Sequence, residues 1–312
     1  MSVFTPVSHA ELHEFLRAYD LGELLGFQGI GEGVENTNYF VDTAEGRWVL
    51  TLFERLERSE LPFYLGLMEH LAQRGFPCPL PVQRRAGGVL AELKGKPAAL
   101  VQRLHGESVL FPTLAQCEAV GRVLGELHVL AASYRGRSAN PRGAAWRRAT
   151  AQALLPHVEP AARALIEEEL AAQARLELAA LPQGVIHADL FKDNVLFVEE
   201  RLSGVIDFYY ACNDALLYDL AVTVNDWCAE PDGRLNGARA QALIAAYRSR
   251  REPDAGETAA WPLTLRAAAL RFYLSRLYDW TFPRAGDLVH IKDPEPYRRI
   301  LEHHRRGVPP LA

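Results

Sequence analysis

Acidic and amide side chains lie between residues 187 and 207 of this 312-residue chain, each at the end of an apolar run. Asp189 and Asn194 follow Val185 and Ile186, and Asp207 ends the run that follows. An acid at the end of a buried strand is held rigidly, as in sites built on a stable scaffold. An Asp carboxylate can accept a proton, and Asp and Asn supply the oxygen ligands that Mg²⁺ prefers. These residue types therefore predict a general base beside a metal site.

The spacing makes this prediction more specific. His187-x-Asp189-x-x-x-x-Asn194, followed by Asp207 on the next strand, is the order of residues in the protein-kinase phosphoryl-transfer site. In that arrangement Asp189 accepts the proton of the substrate hydroxyl, while Asn194 and Asp207 hold Mg²⁺ against the phosphates of ATP. A metallohydrolase site built from His187, Asp189 and Asp207 is a weaker alternative, because no second His lies at a metal-ligand spacing. Asp193 is expected only to cap a turn.

The composition limits the class of protein. A chain of this length with 49% hydrophobic residues can fill the cores of two lobes. The net charge of -5 argues against a nucleic-acid partner. The four cysteines are scattered and predict buried, reduced thiols, which suits the cytoplasm. Neither an export signal nor a membrane-length apolar run is expected, and the sequence carries no signal for the oligomeric state.

Residues 1–104 are expected to form a small lobe around an antiparallel sheet. A capping box at Ser8 begins a short helix, and a second helix is predicted over residues 59–74. Five strands are predicted within residues 27–41, 47–53, 89–93 and 97–104, the first range containing two strands joined by a glycine-rich turn. Gly29, Gly31 and Gly33 in that turn would let backbone amides approach the phosphates of a nucleotide.

The expected nucleotide site departs from the kinase pattern at one position. Where a kinase strand carries a phosphate-binding Lys, this chain has Thr51. Arg55 and Arg58 are the nearest cations, and each is either a phosphate contact or a surface charge. Glu69 occupies the helix position whose Glu holds that Lys in kinases. The expected nucleotide contacts also include Gln102 and Leu104, which lie in the segment that would offer backbone groups to adenine.

Residues 105–312 are expected to form a larger, mainly helical lobe. Helices are predicted from Thr113 through His128 and over residues 159–181, 214–227, 238–250 and 259–280. His128 is interpreted as a core histidine, because its helix is otherwise apolar. Asp219 either braces the catalytic loop through its backbone or lies on a helix surface. The Glu167-Glu168-Glu169 run is interpreted as a solvated face.

With these motifs the chain resembles the homoserine kinases of the aminoglycoside-phosphotransferase-like group, which have the α+β, bilobal protein-kinase-like fold. The resemblance covers nearly the whole chain and is carried by residues 31–38, 50–54, 65–71, 185–194, 206–209, 218–221, 225–228, 269–272 and 276–280. Thr51 agrees with the Leu-Thr-Leu pattern of this family. Lys192 stands where many relatives have Pro, a difference expected to change the stiffness of the loop and not its chemistry.

This resemblance implies ATP- and Mg²⁺-dependent phosphorylation of the side-chain hydroxyl of L-homoserine, a step of threonine biosynthesis. The acceptor is a zwitterion, so its site needs a cation and an anion. Arg271 or Arg276 would pair with the carboxylate, and Asp226 or Asp279 with the ammonium group. The alternatives are another small-alcohol kinase of the same fold, acting on choline, an aminosugar or methylthioribose, and a nucleotide-binding module without catalysis.

Overall fold

A computed structural model describes residues 4–31, 36–283 and 291–311. The described chain divides into two compact units, with the boundary between His105 and Gly106. No helix within these ranges is long and apolar enough to span a membrane. All four cysteines are buried free thiols, as predicted.

The N-terminal unit is built on one five-stranded antiparallel sheet, which confirms the predicted strand number. Its strands are β1 (Leu24–Gly29), β2 (Thr37–Thr43), β3 (Gly46–Leu52), β4 (Ala91–Leu93) and β5 (Lys96–Gln102), in the order β1-β2-β3-β5-β4. Its helices are α1 (His9–Leu16) and α2 (Leu61–Ala72). The β4–β5 turn uses Lys94 and Gly95 with φ of 55° and 74°, the left-handed pair that a two-residue hairpin requires.

The two faces of this sheet differ in chemistry. Alternate residues such as Tyr39 and Leu50 join Leu12 of α1 in one apolar core. The intervening residues point to the other face, where the hydroxyl of buried Thr51 donates to Asn38 Oδ1 at 2.8 Å. A polar pair thus occupies the strand position at which the kinase pattern has a lysine.

The C-terminal unit contains seven of the described α-helices and two small antiparallel sheets. The helices are α3 (Leu114–Ala131), α4 (Ala144–Leu154), α5 (Pro160–Gln173), α6 (Leu216–Trp227), α7 (Gly237–Arg248), α8 (Ala255–Thr281) and α9 (Glu295–His304). One sheet pairs β6 (Gln183–Ile186) with β9 (Cys212–Ala215), and the other is a hairpin of β7 (Val195–Val198) and β8 (Arg201–Val205). Residues 214 and 215, predicted to begin a helix, instead belong to β9, because they complete the ladder with β6.

Helices α3 and α7 pack unusually closely. A Cβ on Gly121 would lie 2.0 Å from the carbonyl oxygen of Leu243, and one on Gly125 would lie 2.9 Å from that of Tyr247. Neither position can hold a larger residue without moving a helix backbone. This contact places His128 of α3 and Tyr247 of α7 side by side.

The prediction that Glu169 is solvated was wrong. Its carboxylate is fully buried and accepts two hydrogen bonds from Arg266, at 2.7 and 3.0 Å, with Arg305 3.5 Å away. Arg266 lies on α8 and forms this buried pair with Glu169. The partner lies 97 residues away in sequence, so the local charge run carried no sign of the pairing.

Candidate active site

The catalytic loop leaves β6 at Ile186 and returns into β7 at Val195. Between these strands Ala188 has a φ of 64°, and residues 192–194 form a single 3₁₀ turn. A left-handed alanine costs free energy and persists only where surrounding contacts hold it. The loop conformation is therefore maintained by its partners and not by local preference.

Those partners converge on one buried carboxylate. Asp219 of α6 accepts the amide N–H of His187 at 2.7 Å and that of Ala188 at 2.8 Å. Both oxygens of the carboxylate are used, one for each amide. The predicted brace between Asp219 and the catalytic loop is thus confirmed, and it fixes the residue immediately before Asp189.

The negative charge of Asp219 is balanced by a buried hydrogen-bond chain. His128 Nε2 lies 3.1 Å from Asp219 Oδ2, and His128 Nδ1 lies 2.9 Å from the hydroxyl of Tyr247. Burial would raise the pKa of Asp219, but the contact with His128 and the hydrogen bond from the backbone N–H of His187 hold this pKa below its ordinary value. His128 is a core histidine, as predicted, and its acid comes from 91 residues away.

Asp189 has the properties expected of a general base. Its half-buried position, and to a lesser extent the negative charge of Asp207, raises its pKa to about 7, while the charge of Arg271 acts in the opposite direction. Asn194 Nδ2 donates to the backbone oxygen of Asp189 at 2.8 Å and lies 3.3 Å from its Oδ2. A carboxylate with a pKa near neutrality is suited to accept a proton at physiological pH.

The predicted metal ligands have suitable donor chemistry. The amide nitrogen of buried Asn194 is directed at Asp189, so its carbonyl oxygen remains the ligating atom. Asp207 is exposed and follows β8 with a left-handed φ of 60°. One carboxylate and one amide oxygen, completed by phosphate oxygens, form the type of Mg²⁺ site found in nucleotide-using enzymes. These residues fit Mg²⁺ in kind and number.

The metallohydrolase alternative is wrong. The imidazole of His187 is buried, and its Nε2 lies 3.0 Å from the backbone oxygen of Ile206. Within the described ranges, no three His, Cys, Asp or Glu side chains are grouped so that they could hold a metal ion. His187 therefore supports the backbone immediately before Asp207 instead of acting as a metal ligand.

The predicted nucleotide residues of the N-terminal unit lie on three elements. Gly29 ends β1 and Gly31 follows it, whereas Gly33 lies outside the described residues. Glu69 of α2 accepts a hydrogen bond from Gln83 Nε2 at 2.9 Å. The β3 position that carries a lysine in kinases holds Thr51, which is hydrogen-bonded to Asn38. It therefore supplies no lysine for Glu69 to orient.

The remaining two nucleotide candidates lie at the end of β5. The backbone N–H of Gln102 already donates to Leu80 O at 2.9 Å. Gln102 can consequently offer adenine its carbonyl oxygen but not its amide hydrogen. Leu104, two residues further, is half-buried.

A cavity of about 660 Å³ opens in the C-terminal unit next to the catalytic loop. Its charged lining includes Lys192, Asp226 and Arg276, and also Glu230 and Arg239, which form an ion pair with each other. Tyr297 and a rim of apolar side chains complete the lining. Asp226 Oδ2 accepts the backbone N–H of Lys192 at 2.8 Å. Burial raises the pKa of Asp226, against the charge of Lys192. Such a site offers an anion and cations to one small ligand.

The other two acceptor candidates lie elsewhere. Arg271 is buried, with its guanidinium 3.7 Å from the ring centroid of Phe272, and it lines a second cavity of about 10 Å³ with Tyr218. Its charge is felt by Asp189, as described above. Asp279 is exposed near the end of α8 and does not line the 660 Å³ cavity. The structure therefore brings Asp226 and Arg276 together but not Asp279.

Comparison with known proteins identifies the family. A model of the phosphotransferase enzyme family matches residues 26–253. The chain is 51% identical over 303 residues to a homoserine kinase from Methylobacillus flagellatus, covering 97% of this chain and 95% of that protein. A homoserine kinase from Burkholderia pseudomallei is 46% identical over 314 residues, covering 96% and 95% of the two chains. The chain belongs to the homoserine kinase family of phosphotransferases. The predicted resemblance is confirmed.

Solved structures support the fold of this homoserine kinase family member. An amicoumacin kinase in complex with AMP-PNP, Ca²⁺ and its ligand matches with a TM-score of 0.72 at 14% identity, over 98% of this chain and 95% of that one. A microcompartment-associated aminopropanol kinase matches with a TM-score of 0.63 at 19% identity, over 96% and 94%. The predicted α+β, protein-kinase-like fold is thus confirmed.

Two residues of the site were missed from the sequence. Lys192 was expected to affect only loop stiffness, but its N–H binds Asp226 and its side chain lines the cavity. A proline at this position would have no N–H to donate, so Lys192 contributes a hydrogen bond to the site and not only a change in loop stiffness. Tyr297 lies on α9, which was not predicted, although the buried residues Tyr297, Ile300, Leu301 and His304 follow one face of that helix at regular helical spacing.

Proposed function

We propose that this protein transfers the γ-phosphoryl group of ATP to the side-chain hydroxyl of L-homoserine, giving O-phospho-L-homoserine for threonine biosynthesis. Its curated relatives from Methylobacillus flagellatus and Burkholderia pseudomallei are homoserine kinases and match almost the whole chain. Membership of the family supports the reaction class and the acceptor together. The free state of all four cysteines supports a cytoplasmic location.

The observation that carries the proposal is the joint position of Asp189, Asn194 and Asp207. Asn194 is hydrogen-bonded to Asp189, and the charge of Asp207 contributes to the raised pKa of Asp189. Three polar groups serving only as turn caps would have no reason to perturb one another in this way. A carboxylate whose pKa is raised beside two further polar groups is typical of a catalytic site and favours an enzyme over a binding module.

In the proposed reaction the acceptor hydroxyl oxygen attacks the γ-phosphorus of ATP. A new O–P bond forms as the bond to the bridging oxygen breaks and ADP leaves, and the hydroxyl proton passes to Asp189. Asn194 and Asp207 would hold Mg²⁺, which neutralises phosphate charge when bound. Glycine-turn amides at Gly29, Gly31 and Gly33 would position the phosphates, since Thr51 carries no charge.

Two further contacts are proposed for ATP. The carbonyl oxygen of Gln102 and the backbone of Leu104 would meet adenine. Glu69 is proposed to affect phosphate binding only indirectly, through neighbouring residues, because its carboxylate already accepts a hydrogen bond from Gln83. These assignments concern binding, and the chemistry does not depend on them.

For the acceptor we favour Asp226 as the partner of the ammonium group and Arg276 as the partner of the carboxylate. Both line the 660 Å³ cavity, in which Lys192 adds a second positive charge. Arg271 then remains beside Asp189, where its charge helps to keep the carboxylate ionised. Asp279, exposed and outside the cavity lining, is the less suitable ammonium partner.

The deciding experiment is a coupled ADP-release assay with a panel of acceptors. L-Homoserine should give the highest kcat/KM, with 3-aminopropan-1-ol, which lacks the carboxylate, and 4-hydroxybutyrate, which lacks the ammonium group, far weaker. An unpaired charge left in a desolvated site costs several kcal/mol, or roughly a hundredfold or more in rate. Phosphorus NMR of the product would identify the phosphate ester.

Each alternative corresponds to a distinct result in the same assay. If choline, methylthioribose or an aminosugar gave a higher kcat/KM than L-homoserine, that compound would be identified as the acceptor instead. ATP binding without ADP release across the whole panel would instead indicate the non-catalytic module. Asp189→Asn serves as the control, since loss of a general base should lower turnover by about two to four orders of magnitude without abolishing ATP binding.

A further inference from the structure

We infer that the hydroxyl group of Tyr297 and the guanidinium of Arg276 together form the subsite for the acceptor's carboxylate. This inference rests on the proposed function, because it assigns one end of the zwitterionic acceptor. It adds a specificity-determining residue from α9, the last described helix, to a site otherwise built from the catalytic loop, α6 and α8.

The ring of Tyr297 is fixed in place. The residue is 2% exposed, and its ring stacks on Phe272 with centroids 5.1 Å apart and an interplanar angle of 29°. Phe191 of the catalytic loop lies against the same ring, at 6.2 Å and 20°. Since the ring is held on these aromatic neighbours, the position of its hydroxyl is determined before a ligand arrives, which lowers the entropic cost of binding.

The hydroxyl itself has no hydrogen-bond partner among the described residues, although it is fully buried. Buried polar groups are nearly always hydrogen-bonded, so such an atom requires an explanation. Tyr297 lines the 660 Å³ cavity. A ligand in this cavity is therefore the natural partner for the hydroxyl.

The surroundings specify which ligand group this is. The guanidinium carbon of Arg276 lies over the Tyr297 ring, 4.6 Å from its centroid. The positive charge is therefore next to the side chain that carries the hydroxyl. Burial, followed by the charge of Asp226, raises the pKa of Tyr297 well above its ordinary value. The phenol thus stays neutral and donates a hydrogen bond. A carboxylate oxygen can accept from both the phenol and the guanidinium, whereas an ammonium group, although it could donate to the phenol oxygen, would be repelled by the guanidinium.

A matched control exists in the other unit. Tyr19 is 1% exposed and its hydroxyl is also buried without a hydrogen-bond partner among the described residues. Tyr19 belongs to the apolar core of the N-terminal unit and lines neither cavity. Tyr19→Phe and Tyr297→Phe therefore remove the same atom from similar surroundings, but only the second removes it from the proposed subsite.

The experiment measures the KM for L-homoserine and the inhibition constant of 3-aminopropan-1-ol in wild type, Tyr297→Phe and Tyr19→Phe. In Tyr297→Phe the KM for L-homoserine should rise about 10- to 100-fold, the range for a lost hydrogen bond to a charged group. The inhibition constant of 3-aminopropan-1-ol, which has no carboxylate, should change less than about twofold. Tyr19→Phe should leave both values unchanged.

Two results would overturn the inference. An equal loss of affinity for both compounds in Tyr297→Phe would mean that the hydroxyl has a structural role, for example through Asp226. An unchanged KM for L-homoserine would mean that the hydroxyl does not touch the acceptor. If wild type failed to phosphorylate L-homoserine, the proposed function itself would be refuted, which is a different outcome from either.

Discussion

Replacing Asp189 with Asn should stabilise the protein at alkaline pH while it abolishes most of the activity. The pKa of Asp189 is raised from 3.8 to about 7, chiefly by burial. Between these two values the unfolded chain has released this proton and the folded protein still holds it. Stability therefore falls as pH rises through this window, and the deficit is constant above about pH 7. An Asn side chain does not titrate and escapes the deficit.

The size of the effect follows from the two pKa values. At about 1.4 kcal/mol per pH unit, the change from 3.8 to about 7 amounts to about 4 kcal/mol at high pH. Part of this deficit has already developed by pH 5. Between pH 5 and pH 8 the stability of Asp189→Asn relative to wild type should therefore rise by about 2.5 kcal/mol.

Urea denaturation of both proteins at several pH values, followed by tryptophan fluorescence, would measure this difference. Trp227 and Trp261 are buried in the C-terminal unit and report its unfolding. Asp193→Asn is the control, because Asp193 is an exposed neighbour whose ion pair with Lys292 should contribute little at any pH. A stability difference between Asp189→Asn and wild type that did not increase with pH would refute the explanation that burial raises the pKa of Asp189.

Other substitutions test the remaining parts of the site and its support. Asp219→Asn should lower stability by about 2 to 4 kcal/mol and reduce turnover, because an amide cannot accept from three donors; unchanged melting and turnover would contradict the brace. Glu169→Gln should cost about 3 kcal/mol in urea denaturation but leave kcat/KM unchanged, and a loss of activity would contradict its purely structural role. Asn194→Ala and Asp207→Ala should both raise the Mg²⁺ concentration needed for half-maximal activity, Asp207→Ala more strongly because it removes a full charge. An unaltered Mg²⁺ dependence in both would exclude them as ligands.

The sequence predicted the parts whose signals are local. The capping boxes at Ser8 and Thr113 mark true helix starts, and the five strands of the N-terminal unit follow from apolar alternation and turn residues. The order of His187, Asp189 and Asn194 was sufficient to predict the loop between β6 and β7, because short buried strands ended by acids leave few other arrangements.

What the sequence could not predict depends on distant partners. Glu169 seemed to belong to a solvated run, yet Arg266 reaches it from 97 residues away. Similarly, no feature of the sequence distinguished Asp226 and Arg276 from Asp279 as contacts of the acceptor. The packing of α6, α8 and α9 places Asp226 and Arg276, but not Asp279, around one cavity. Tyr297 carried no signal, because the partnerless state of a hydroxyl exists only in the folded protein.

The brace on the catalytic loop also affects the order in which the protein folds. The amides of His187 and Ala188 bind an acid 31 to 32 residues away, and that acid in turn requires His128, another 91 residues distant. Contacts of such sequence separation form only after the helices that carry them have docked. The catalytic loop is consequently one of the last parts to acquire its working geometry. During refolding, the helical circular dichroism signal should recover before phosphoryl-transfer activity does. A partly folded chain would therefore hold no positioned base that could promote unproductive hydrolysis of ATP.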